Sequence, residues 1–137
     1  MESIYTLKVY PQGHGRTVYR VLKISGKETL DTLCNVILDS FDFTDEHLYE
    51  FCMDNKMYGR NSYQSDPEGG QPSTKTKIEQ IGLRTRQKFS LHYDFGDDWM
   101  FIITVQNIQE STKAEDPCIV KEKGNIEQYL DWDDEWE

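Results

Sequence analysis

The sequence predicts an α+β domain: two layers, with a largely antiparallel sheet carrying two helices on one face in the order ββαββαββ. Three observations predict it. Several short runs alternate apolar and polar residues at a period of two. One stretch places its apolar residues at helical spacing. The period-two runs cluster in pairs separated by turn formers, instead of alternating singly with helices. Residues 1–124 make up the predicted domain, and residues 125–137 read as an acidic tail.

The first run spans Ile4 to Tyr10, where Tyr5, Leu7 and Val9 share one face and Thr6 and Lys8 the other. Pro11-Gln12-Gly13-His14-Gly15 is rich in turn formers, and Val18 to Ile24 reads as the antiparallel partner strand. Thr29 is a helix cap, followed by Leu30, Leu33, Cys34, Ile37, Leu38 and Phe41 on one stripe. Cys34 lies inside that stripe and is expected in the core. Leu48 to Met53 forms a third strand with Tyr49, Phe51 and Met53 on one side, and Tyr58 is placed in a short partner strand. Gly59 to Lys75 is rich in Gly, Pro, Ser and Asp and reads as a long mobile loop.

Thr76-Lys77-Ile78-Glu79 has the form of a capping box, predicting a helix of about two turns closed by Gly82 in a left-handed conformation. Phe89 to Val105 carries the strongest strand–turn–strand pattern, broken at Gly96-Asp97-Asp98, and is placed at the centre of the sheet. Ile119-Val120 reads as a short edge strand. The expected core is Leu7, Val9, Leu22, Leu30, Leu33, Ile37, Phe51, Leu91, Tyr93, Trp99, Phe101 and Ile103.

Composition narrows the function. Net charge is −10, and the segment 125–137 holds six acids and no base, so the rest carries −10 + 6 = −4. A phosphate-coated partner is bound through Lys and Arg, so direct nucleic-acid binding is not expected. The tail reads first as a solvated, frayed terminus, with a docking peptide for a basic protein partner as the sharper alternative. The three cysteines, Cys34, Cys52 and Cys118, form no CxxC pair. The N-terminus has no signal-peptide pattern and no apolar run approaches a membrane span, so the expected compartment is the cytoplasm and no membrane partner is expected.

The acidic turn is where chemistry is concentrated. On a continuous strand His92 and Asp94 would project to one face about 7 Å apart, with Asp97 and Asp98 in the turn beyond. Hard oxygens plus an imidazole suit a divalent cation held by Asp94, Asp97 and Asp98, with His92 completing a ligand-binding set. Paired carboxylates could also serve as acid and base. The first reading of the turn is structural, ahead of both: Asp shapes turns through its side chain, and Gly96 would supply a positive φ. His14 and His47 stand near no second histidine in sequence.

The string Tyr93-Asp94-Phe95-Gly96-Asp97-Asp98-Trp99 resembles the signature of the plasmid pRiA-type ORF-three-like family. That family is found on plasmids, beside mobile elements and in bacterial and archaeal chromosomes. Tyr5 to Tyr10, Arg20-Val21-Leu22, Thr29-Leu30-Asp31-Thr32-Leu33, His47-Leu48-Tyr49-Glu50-Phe51, the Pro117 region and Glu127-Gln128-Tyr129 resemble its other segments. Val18-Tyr19 departs from it, standing where the family has an aromatic residue and an Arg. The resemblance covers Ile4 to Tyr129 and implies a compact α+β sandwich; it implies no particular activity.

The leading expectation is a binding or interaction module with an unidentified protein partner, no catalysis of its own and no cofactor, as a monomer or weak dimer. The second is a divalent-cation protein or metal-assisted hydrolase built on His92, Asp94, Asp97 and Asp98. The third is a mobile-element accessory protein touching nucleic acid through Arg84, Arg86 and Lys88.

Overall fold

The computed structural model describes residues 2–69 and 72–129; of the predicted acidic tail, residues 130–137 lie outside the described residues. Among the described residues seven strands form one antiparallel sheet: β1 (Glu2–Pro11), β2 (Tyr19–Ser25), β3 (Tyr49–Cys52), β4 (Ser62–Gln64), β5 (Lys88–Tyr93), β6 (Trp99–Ser111) and β7 (Cys118–Lys123). Their spatial order is β4-β3-β5-β6-β1-β2-β7, so β6, the second strand of the hairpin expected at the centre, is the middle strand.

The chain has one α-helix among the described residues, α1 (Leu30–Ser40), and not the expected pair. The predicted second helix is a single 3-10 turn, Ile78–Gln80. Tertiary hydrogen bonds account for the difference. Ile78 N–H donates to Glu28 O and Glu79 N–H to Gly26 O, while Thr76 O accepts from Leu30 N–H. The N–H groups of Ile78 and Glu79 would find no partner inside a helix that starts here, so these bonds tie the turn to the β2–α1 connection. Thr76 O, which would accept the first intrahelical bond, is taken by Leu30, and Gly82 at φ +81 ends the segment. The cap is Lys77, whose N–H donates to Gln80 Oε1, instead of Thr76 with Glu79. The order is therefore ββαβββββ.

Helix α1 follows its sequence pattern. Thr29 Oγ1 accepts from Thr32 N–H at 3.2 Å, and Leu30, Leu33, Cys34, Ile37 and Leu38 are buried. They pack on the sheet face formed by Leu7 and Val9, Leu22, Phe51, Phe89 and Leu91, Phe101 and Ile103. Fully burying each aromatic ring contributes about 1.5–3 kcal/mol. Trp99, expected in the core, is only half-buried and packs at its margin against Phe43 and Phe101.

The Gly59–Lys75 segment, expected as a loop, contains β4, and Gln64 pairs on with Ser73. Thr74 is buried, and its hydroxyl donates to Asp31, which also accepts from Tyr49 OH. These bonds fasten the segment to α1 and β3.

Arg20 closes the opposite end. It is 2% exposed and lies over the Phe41 ring at 4.4 Å. Its Nε donates to Ser40 O, its Nη1 to Tyr19 O, Lys123 O and Gly124 O, and its Nη2 to Asn125 Oδ1. One guanidinium thus terminates α1, holds β2 and anchors the segment leaving β7. Gly124 is required there: φ is +66, and a Cβ would meet Thr17 O at 2.2 Å.

Arg20→Lys keeps the charge but cannot reproduce the planar fork. It is expected to lower stability by about 2–4 kcal/mol in urea unfolding. A loss below about 0.5 kcal/mol, the range of ordinary surface changes, would show that the cage is not a structural anchor.

Candidate functional site

Strand β5 ends at Tyr93, and Asp94 turns away from it at φ +64. Asp94 therefore does not share a face with His92, as a continuous strand would require. Its Oδ1 accepts from Gly96 N–H (3.0 Å) and Asp97 N–H (3.3 Å), and its carbonyl accepts from Asp98 N–H (2.6 Å). The left-handed residues of the turn are Asp94 and Asp98 (φ +53), while Gly96 keeps a negative φ. Asp tolerates this region because its side chain bonds the backbone locally. The other Asp94 oxygen, Oδ2, lies 3.5 Å from His47 Nε2, which in turn meets Tyr129 OH at 2.9 Å.

His92 is fully buried between two carboxylates. Nδ1 lies 2.7 Å from Glu50 Oε2 and Nε2 lies 2.6 Å from Asp98 Oδ1. Both ring nitrogens are thus engaged. Glu50, 0% exposed, is the member that sequence reading missed. It alternates with Tyr49 and Phe51 and looks like an outward-facing residue of β3. Only the register of β3 on β5, Glu50 opposite His92, brings the two together.

Glu50 also accepts from Tyr58 N–H and Gln64 Nε2, both at 2.8 Å. Burial alone would raise its carboxyl, but the donors from His92, Tyr58 and Gln64 outweigh burial and hold it below its ordinary value. Burial first, and then the Glu50 charge and hydrogen bond, push the neighbouring Cys52 thiol up to about 12, so it is no nucleophile. The Ser90 hydroxyl beside the thiol acts in the opposite direction and lowers it. Tyr58, held at φ +55, sets its ring edge-on to His92 at 5.0 Å, and Phe95 covers the imidazole from 4.9 Å.

Asp98 is where this chain of bonds reaches the surface. With Asp97, Trp99, Gln12 and His14 it lines a cleft of about 250 Å³ between the acidic turn and the β1–β2 hairpin. Of the four residues expected as a site, His92 and Asp98 are bonded, Asp97 and Asp98 face the cleft, and Asp94 points to His47. Among the described residues no three of His, Cys, Asp and Glu are grouped to hold a metal ion, and no helix is long and apolar enough to cross a membrane.

A family model described as "Plasmid pRiA4b ORF-3-like protein" matches residues 3–128. A solved structure from Methanosarcina mazei Go1, described as the protein of unknown function MM3350, is similar in fold, with a TM-score of 0.70 at 24% identity over 89% of this chain and 70% of that one. No curated protein matches the chain.

The Glu50 shift gives a pH signature. Its folded carboxyl lies below the ordinary 4.5, so its contribution to stability is present above pH 4.5 and is lost as pH falls through the lower folded value. Glu50→Gln is expected to cost about 2–4 kcal/mol at neutral pH. It is also expected to flatten the loss of stability below pH 4.5, measured by urea unfolding across that range. An acid limb as steep in Glu50→Gln as in the natural chain would contradict this assignment.

Proposed function

The chain belongs to the plasmid pRiA4b ORF-3-like protein family, and from that premise we propose that it is a cytoplasmic, non-catalytic binding module that receives a cationic side chain of a protein partner beside the acidic turn. One observation carries the reading: Asp97 and Asp98 are exposed at a cleft that also contains Trp99. Neither carboxylate is paired with Lys or Arg among the described residues.

Two carboxylates beside an indole suit a guanidinium or an ammonium, through charge-assisted hydrogen bonds and ring contact. The His92–Glu50 bridge supports the same reading, since it holds Asp98 in place before any ligand arrives and lowers the ordering cost of binding. The net charge of −10 favours encounter with a basic surface. Both ring nitrogens of His92 are engaged and the Cys52 thiol is held protonated, so neither is offered to a substrate.

Calorimetric titration with a short Arg-containing peptide checks this. Asp97→Asn combined with Asp98→Asn is expected to weaken binding at least about tenfold, roughly 1.4 kcal/mol. No binding by the natural chain, or equal binding by the double variant, would remove the reading.

A further inference from the structure

The cleft continues into a surface of opposite charge. On the sheet face turned away from α1, a concavity of about 480 Å³ is lined by Lys8, Tyr10, His14 and Arg16, and one of about 410 Å³ by Lys8, Tyr19, Val120 and Lys121. His14 is shared with the acidic cleft, and Lys8 joins the two concavities. No acidic residue lines either one, in a chain with 25 acids against 15 bases.

Lys8 Nζ lies 4.7 Å from the centre of the Tyr19 ring and 5.8 Å from that of Tyr10; Lys121 Nζ lies 5.8 Å from Tyr19. Among the described residues Lys8, Arg16 and Lys121 have no carboxylate within ion-pair distance. The rings position the ammonium groups without neutralising them, so the positive charge faces outward.

We propose that this face binds an extended peptide segment of mixed charge. A carboxylate of the partner rests against Lys8, Arg16 and Lys121, and a cationic side chain two to four residues away enters the acidic-turn cleft. The second half of this statement rests on the function proposed above. Lys8 and Pro11, which mark the two regions on β1, are three residues apart, about 10 Å along a strand, and this sets the spacing. Charge decides against a nucleic acid: a phosphate chain continuing past His14 would run onto Asp97 and Asp98, which repel it.

The test uses the full chain and three peptides of equal length, titrated by calorimetry. One carries Arg and Glu three positions apart, one Arg and Gln, and one Gln and Glu; single-stranded oligothymidylate is the fourth probe. The Arg/Glu peptide is expected to bind at least about tenfold tighter than the Arg/Gln peptide. Lys8→Gln combined with Lys121→Gln is expected to abolish that advantage while leaving Arg/Gln binding unchanged. Circular dichroism checks the fold, and Lys121→Gln alone, on an exposed residue, serves if the pair does not fold. Equal affinity for the Arg/Glu and Arg/Gln peptides would overturn the cationic subsite and leave the acidic cleft standing. Absence of binding by every peptide would overturn both readings. Tighter binding of oligothymidylate than of any peptide would assign the face to nucleic acid and overturn the proposal.

Discussion

His92 is held on one side by a carboxylate from β3 and on the other by a carboxylate from the β5–β6 turn. A buried imidazole with two acceptors fixes everything bonded to it, because leaving any partner unsatisfied in the interior is costly. Through Glu50 the bridge reaches Tyr58 and Gln64, and so organises the connection between β3 and β4. Through Asp98 it fixes a left-handed residue and the wall of a cleft. The core and the candidate site therefore meet at one ring: its neighbours on β5, Leu91 and Tyr93, point into the apolar interior, while His92 itself faces the polar side.

Arg20 plays the matching part at the far end. A charge is costly to bury unless nearly every donor finds an acceptor, and here four backbone carbonyls and an Asn side chain are converged on one guanidinium. The segment it anchors runs on through Asn125 to Gln128, whose side chain accepts from Thr44 N–H, and to Tyr129 beside His47. Buried polar clusters thus define both ends of a sheet whose middle is held by aromatic and aliphatic packing.

The charge of the molecule is unevenly placed. The sheet face away from α1 gathers Lys8, Lys121, Tyr10 and Tyr19, while the adjoining turn presents Asp97 and Asp98. A net charge summed over the chain hides this arrangement. The sign of the total excludes a uniformly basic surface, yet it says nothing about where the minority cations collect once strands from opposite ends of the sequence lie side by side.

The local pattern of the chain was enough to determine the α1 stripe, the β1–β2 pair, the central hairpin and the family kinship, because each depends on periodicity or spacing within a short window. It was also enough to single out the acidic turn. Tertiary structure alone decided that Ile78–Gln80 stops at one 3-10 turn, since Thr76 O before it is taken by Leu30 N–H while the N–H groups of Ile78 and Glu79 tie the turn to Glu28 and Gly26. It decided that Asp94 leaves the strand, that Glu50 is buried and that His92 is shared between two carboxylates. These facts depend on register between segments far apart in sequence, and a one-residue slip would send Glu50 to the opposite face. What a residue is can be read locally; what a polar residue must bond to is settled only when distant strands come into contact.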